Sequence, residues 1–297
     1  MIGIDWPMIS DLFEPVGFPE AIRRLNEKSS EIDRDRPYGL SFGDLHHILD
    51  CYHNVGLRGE YVFELGGCLE KSFVEECIKP EGWHSVTSDI YDVDYQYNID
   101  ETSRPSIENT VNKSRNYYKS NLGILEYYNQ HSLHNSDRKF TRVFSVAAFE
   151  HLKLPSLMIE KAYEMCKQGA LLYSYFTPVW SAVNGHHWSY FPMILPPYIH
   201  LSLSHNEFIE WCRNELKMDL GESEIHAHQI YKSTRINRLS PREWNRVFEN
   251  MSFRILALNL IGQKDLAELE PAKRERIVKS IGSNITCEGY RLIGKKD

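Results

Sequence analysis

The chain has 297 residues, a formal net charge of −7 and a sequence pI near 6.0. This length suits one enlarged α/β domain, and an acidic balance without a dense Lys/Arg stripe argues against a nucleic-acid or membrane partner. No apolar run approaches the ~20 residues of a bilayer-spanning helix, and the 6 cysteines show no Cys-x-x-Cys spacing. We therefore expect a cytoplasmic protein with reduced thiols.

Residues 1–57 carry two sets of apolar side chains at helical spacing: Phe18, Ile22 and Leu25, and then Leu45, Ile48, Leu49 and Tyr52. This spacing predicts two amphipathic helices ahead of the first strand.

The segment from Val62 to Glu70 predicts a buried strand that breaks at Gly66 and Gly67 before a helix over residues 73–77. Glycines let a ligand approach the backbone closely, and a helix start offers free N–H groups. Glycine after a strand can also be a simple turn, so this segment alone leaves both interpretations open.

A second strand is predicted from Trp83 to Asp89, which lies 22 positions after Gly67. A carboxylate at the end of this strand can accept both hydrogen bonds of a ribose diol. Asp92 and Asp94 compete for that role.

A mostly polar region at about residues 95–139 predicts an insertion. It contains a candidate third strand from Leu122 to Tyr128, followed by Asn129 and Gln130.

Two further apolar strands are predicted from Phe140 to Val146 and from Gln168 to Phe176, with a helix ending at Cys166 between them. The first of these strands leads directly into Ala147-Ala148-Phe149-Glu150-His151-Leu152.

In this order, the glycine segment, Asp89, the Glu150-His151-Leu152 element and the turn at Gly169 resemble the class I S-adenosylmethionine-dependent methyltransferases. The resemblance implies a Rossmann-like α/β fold with a mainly parallel, seven-stranded sheet flanked by helices. Residues 239–253 resemble the late helix and sixth strand of the family. The glycine segment departs from the common Glu-x-Gly-x-Gly-x-Gly form, since only Glu64 and Gly66 keep its register.

The resemblance also implies a domain plan and a cofactor site. Residues 1–57 would form a helical lid, with packing against the sheet edge as the alternative, and residues 58–297 would form the methyltransferase domain with insertions at about 95–139 and 181–238. The residues expected to bind S-adenosylmethionine are Glu64, Gly66, Gly67, Asp89, Asn129, Gln130, Val146 and Ala147.

The loop after the last of these strands contains Gly185-His186-His187. A neutral imidazole can remove the proton of a hydroxyl acceptor near neutral pH, so we expect His186 to be the general base, with His187 as the second choice. A purely structural histidine corner is the alternative. His151, Trp180 and Arg235 are the residues expected in the acceptor pocket.

A metal site is not expected. His200, His205, His226 and His228 are close in sequence, and the last two would share one face if their segment were extended, but carboxylate and cysteine partners at a ligand spacing are missing. No metal ligands are therefore assigned, and metal dependence stays open. We expect a methyltransferase acting on oxygen of a small polar acceptor such as a sugar or phosphorylated glycan precursor, in a chain that can form a homo-oligomer. A non-catalytic partner subunit and an NAD-dependent oxidoreductase are the alternatives.

Overall fold

The computed structural model describes residues 42–65, 84–89, 126–129, 140–152, 154–188, 195–232 and 236–297. For residues 42–46, 84–89 and 126–129 it describes the backbone alone. Gly66, Gly67, Gln130 and Arg235 lie outside the described residues, as does the first of the two predicted N-terminal helices.

The described residues form a 7-stranded sheet and a 2-stranded ribbon. The strands are β1 (Tyr61–Glu64), β2 (His84–Asp89), β3 (Glu126–Asn129), β4 (Phe140–Val146), β5 (Cys166–Phe176), β6 (Arg254–Ile261), β7 (Lys264–Asp265), β8 (Ile285–Thr286) and β9 (Gly289–Lys295). The order in the large sheet is β3-β2-β1-β4-β5-β9-β6, and β9 is antiparallel to both of its neighbours. Strands β1 to β5 run parallel, which confirms the predicted mainly parallel architecture.

The helices of the described residues are α1 (Phe42–Val55), α2 (Pro155–Met165), α3 (Ile199–Ser202), α4 (His205–Glu215), α5 (Leu220–Tyr231), α6 (Pro241–Glu249) and α7 (Pro271–Ile281). Helices α4 and α6 each begin with a capping box, formed by Ser204 with Glu207 and by Ser240 with Glu243. These boxes satisfy N–H groups that have no partner inside the helix, and so they fix where each helix starts.

Helix α1 packs on one face of the sheet, antiparallel to the strands. Its His47 stacks on Tyr175 near the end of β5, whereas Val55 at its C-terminus accepts a hydrogen bond from Arg142 near the start of β4. Between these points Asp50 accepts hydrogen bonds from Tyr173, at 2.6 Å, and from Arg291 of β9. The N-terminal end of α1 therefore lies at the edge of the sheet where the parallel strands end.

The opposite face of the sheet holds the larger hydrophobic core. Strands contribute Phe63, Val143, Leu172 and Phe176, and helices α2 and α6 cover them with a set of buried side chains that includes Ile159, Ala162, Trp244 and Phe248. Strands buried between helices on both faces are typical of parallel α/β sheets.

A second core lies in the insertion that follows β5. It joins Phe208 and Cys212 of α4 to Ala227 and Ile230 of α5, and α7 adds Ile277 and Ile281. The segment between β6 and β9 therefore supports the same helical layer as the predicted insertion, a contribution that the sequence pattern did not indicate. The cysteines at positions 51, 166, 212 and 287 are reduced and buried, as predicted. In the described part of the chain, no helix is both long and apolar enough to cross a bilayer.

Candidate active site

The chain runs outward from β1 to β3 and then returns to β4 on the other side of β1. Ligands in open α/β sheets bind beyond the carboxyl ends of the strands at such a switch point. Just after β1, the amide of Leu65 donates a hydrogen bond to the carbonyl of Phe144 on β4 at 2.8 Å, so the two strands stay paired up to this point.

Glu64 is the last residue of β1 and is only 7% exposed. Burial raises the pKa of this carboxyl group to about 8, and its Oε2 atom has no hydrogen-bond partner among the residues that the structure describes. An isolated buried carboxyl is costly unless a ligand completes its surroundings. A cationic or hydrogen-bond-donating ligand group would therefore match this position.

The next two strand ends lie beside Glu64 at the same edge. Asp89 closes β2 and is paired in register with Asn129, which closes β3. The sequence placed both residues at strand ends, and the backbone agrees; their side chains are not described.

On the other side of β1, Val146 ends β4 and Ala147 follows with a positive φ of 52°. A left-handed conformation is uncommon for alanine, and such strained residues are found preferentially at ligand sites. The amide of Ala147 donates to the carbonyl of Tyr175 at 2.8 Å, which holds the turn against the end of β5.

The loops that follow β4 and β5 meet in a small pocket, because the two strands are neighbours in the sheet. Its walls are His151, His186, His187, Trp188, Gln229 and Ile236. The cavity volume of about 40 Å³ admits little more than one water-sized group. The pocket therefore fits the reacting group of a ligand rather than a complete sugar ring.

His187 is held in a defined orientation within this pocket. Its Nε2 lies 2.6 Å from the carbonyl oxygen of Pro178. A carbonyl oxygen can only accept, so Nε2 carries the proton, and Nδ1 is the nitrogen of the neutral ring that can take up another.

His186 has the same Nε2–H tautomer but is held through its other ring nitrogen. Its Nδ1 accepts a hydrogen bond from the Trp188 amide at 2.9 Å, and burial lowers the pKa of the ring to about 4. The neutral ring therefore carries its proton on Nε2, and its basic nitrogen is already engaged. These contacts favour His187 over His186 as a base, which reverses the order expected from sequence.

The other expected pocket residues are placed differently. His151 lines the pocket, and its ring meets that of His187 edge-on at 5.0 Å between centroids. Trp180 lies in the second core, with Arg238 positioned 5.3 Å from its ring centroid. Arg235 lies outside the described residues, although Ile236 beside it in sequence is a wall of the pocket.

Sequence reasoning missed Gln229 and Ile236, which reach the pocket from α5 and from the segment after it. No local motif marks either residue. His226 and His228 lie on α5 rather than on an extended segment, so they point in different directions, since residues two apart on a helix do not share a face. The described residues contain no cluster of three or more ligands that could hold a metal ion.

No family model matches the chain, and no curated protein matches it. Among solved structures, it is similar to a Listeria monocytogenes protein described as an S-adenosylmethionine-dependent methyltransferase, with 10% identity, 86% and 98% of the two chains covered and a TM-score of 0.45. It is also similar to an arsenic(III) S-adenosylmethionine methyltransferase of Chlamydomonas reinhardtii, with 12% identity. There the alignment covers 96% of this chain and 74% of the other, with a TM-score of 0.41. The [4+2]-cyclase SpnF is similar with 9% identity, 93% of each chain covered and a TM-score of 0.42. At this level of similarity, such matches decide nothing about activity.

Proposed function

We propose that the chain is an S-adenosylmethionine-dependent methyltransferase that methylates an oxygen atom of a small polar acceptor. The observation that carries the proposal is the arrangement at one edge of the sheet. A buried acid ends β1 at the switch point, and the residues described around it offer no partner for its Oε2 atom. A histidine pocket opens after the neighbouring strands β4 and β5. A cofactor and an acceptor could meet across this edge.

Glu64 fits the cofactor because a buried carboxyl, with one oxygen unbonded to any described residue, suits a cationic ligand. Glu64, Gly66 and Gly67 would hold its methionine part, and Val146 and Ala147 would form a wall. Asp89 would bind the ribose, and Asn129 and Gln130 would lie near the adenine.

When bound, S-adenosylmethionine supplies a methyl group activated on a sulfonium. His187 would accept the proton of the acceptor hydroxyl at Nδ1, since its Nε2 proton is committed to Pro178. The cofactor would supply its methyl group to that oxygen and would leave as the neutral thioether S-adenosylhomocysteine. His151 and Trp188 would align the acceptor, because methyl transfer requires an in-line approach.

A sugar or phosphorylated glycan precursor is the acceptor class that we propose, as in a bacterial surface-polysaccharide pathway. The imidazole and amide groups of the pocket suit a single hydroxyl group of a sugar, whose ring would remain outside the small cavity. Arg235 would add positive charge for a phosphate.

The test is a mass-spectrometric screen in which the purified protein is incubated with S-adenosylmethionine and pooled sugars, sugar nucleotides and phosphorylated metabolites. We expect one compound class to gain the mass of one methyl group, on oxygen. The His187→Asn protein should give far less product in the same incubation. A product methylated on nitrogen or carbon would contradict the acceptor chemistry, and cofactor binding without product from any pool would favour a non-catalytic subunit.

A further inference from the structure

His200 is a buried histidine beside the pocket that the proposed reaction does not use. It lies on α3 and is 3% exposed. Its Nε2 is 2.7 Å from the carbonyl oxygen of Trp180, so Nε2 carries the proton. Burial lowers the pKa of this ring to about 3, so the ring is neutral and its Nδ1 is a hydrogen-bond acceptor.

The neighbouring ring of His186 offers the matching donor. Its Nδ1 accepts from the Trp188 amide, which leaves the proton on Nε2. The two ring centroids are 5.1 Å apart, with the planes inclined at 74°. His186 Nε2 and His200 Nδ1 are both sealed from solvent, and within the described part of the chain neither has a hydrogen-bond partner.

One buried donor and one buried acceptor thus remain in two adjacent rings. Buried polar groups in folded proteins are nearly always hydrogen-bonded, and a donor and an acceptor that lie side by side can satisfy each other. A hydrogen bond from His186 Nε2 to His200 Nδ1 would satisfy both groups.

We propose that His200 is a positioning residue whose Nδ1 accepts a hydrogen bond from Nε2 of His186. The bond completes a chain that runs from the Trp180 carbonyl through both imidazoles to the Trp188 amide. This chain ties together the two ends of the loop that carries His187. His187 is itself anchored on the Pro178 carbonyl, so the loop is fixed at both sides of the proposed base.

The groups around the two rings agree with neutral imidazoles. Trp180 meets His200 edge-on at 4.6 Å between centroids, and the nearby His187 disfavours a positive charge on His200. The inference rests on the proposed function only for the role of His187.

The direct test is nuclear magnetic resonance of the full chain labelled with ¹⁵N-histidine, without any acceptor. We expect His186 and His200 to remain neutral Nε2–H tautomers from about pH 5 to about pH 8, with scalar coupling between His186 Nε2 and His200 Nδ1. An Nδ1–H tautomer of either ring, titration of either ring in this range, or absence of the coupling would overturn the proposal.

Two substitutions separate positioning from simple space-filling. His200→Gln keeps a donor for the Trp180 carbonyl but removes the acceptor at the Nδ1 position, whereas His200→Asn retains an acceptor there. We expect the His186 Nε2 proton to exchange roughly ten-fold faster in His200→Gln and to be largely restored in His200→Asn. Equal exchange in the two variants would contradict the proposal.

His228, which is exposed on α5, supplies the control: His228→Gln should leave both signals unchanged. These spectra need no methyl transfer. Failure to find the bond would therefore leave the proposed reaction standing, and failure of methyl transfer would leave the bond standing.

Discussion

Each imidazole of the Gly185-His186-His187 loop is defined by the backbone atom that it contacts. Pro178 fixes the proton of His187 on Nε2, and the Trp188 amide occupies Nδ1 of His186. Two adjacent residues of the same type therefore have different chemistry. Burial moves the pKa of His186 to about 4, which makes this ring a weak base at physiological pH.

Substitution of His187 tests this assignment. His187→Asn is the preferred variant, because asparagine tolerates the left-handed backbone that His187 adopts at φ 51°. We expect kcat to fall by ~10²–10⁴ with cofactor binding unchanged. His186→Asn should have the smaller effect on kcat; a larger loss in His186→Asn, measured in the same assay, would return the base to His186.

The raised pKa of Glu64 affects stability as well as binding. Its carboxyl titrates at 4.5 when unperturbed and at about 8 in the fold, so between these values the folded chain holds a proton that the unfolded chain has released. Stability contributed by this group is therefore lost as pH rises through that range.

Glu64→Gln removes this pH dependence. Thermal melts should show a higher Tm than the unmodified protein at about pH 8 and little difference at about pH 4, because glutamine stays neutral throughout. The same variant should bind S-adenosylhomocysteine more weakly. Parallel Tm profiles for the two proteins would show that Glu64 is not a buried neutral acid.

At the scale of the element, α1 is joined to the sheet by polar contacts as well as by its apolar face. Asp50 receives the guanidinium of Arg291 and the hydroxyl of Tyr173, and the two charged side chains are 31% and 22% exposed. A partly buried pair of this kind loses more on removal of one partner than an exposed pair does.

Asp50→Asn should lower the free energy of unfolding by about 1–3 kcal/mol, because Arg291 loses its counter-charge while Tyr173 keeps an acceptor. Urea denaturation measures this. Arg254→Gln, which removes the exposed Arg254–Asp297 pair, is the control and should leave the midpoint unchanged. If both substitutions lower the free energy of unfolding equally, the Asp50–Arg291 pair contributes no more than an exposed ion pair.

The loop after β5 depends on a glycine at position 185. A Cβ atom there would overlap the carbonyl oxygens of Val179 and Trp180. These are backbone atoms, so they cannot move away without a shift of the main chain. We expect Gly185→Ala to displace the loop, with loss of methyl transfer and a lower Tm.

Gly221→Ala is the matched control for this change. Its Cβ would meet only Asp219 Oδ1 at 3.5 Å, an ordinary contact, and alanine favours the helix. Calorimetry should therefore show a much lower Tm for Gly185→Ala than for the unmodified protein, whereas the Tm of Gly221→Ala should be unchanged or higher. A Gly185→Ala protein with unchanged activity would show that the pocket does not need this loop geometry.

At the scale of the whole molecule, the sequence predicts strand ends better than it predicts the pocket. Asp89, Val146 and Glu64 lie at carboxyl ends as expected, since apolar runs and the residues that end them are local signals. Gln229 could not be predicted, because it comes from a helix that follows the pocket loop by some forty positions.

The same limit applies to the histidines and to the second core. The tautomer of His187 depends on the carbonyl of Pro178, nine residues earlier in the chain. That contact cannot be predicted from the residue types alone. Packing of Ile277 and Ile281 against α4 and α5 joins two insertions that are separated in sequence by α6 and β6. Contacts of this kind arise from topology rather than from periodicity.

Calorimetric titration of the full chain with S-adenosylhomocysteine and, separately, with NAD tests the cofactor site most directly. We predict saturable binding of S-adenosylhomocysteine, about ten-fold weaker in Asp89→Ala, and no binding of NAD. Binding of NAD, or no heat from S-adenosylhomocysteine at any concentration, would contradict a site for an adenosyl sulfonium at the end of β1.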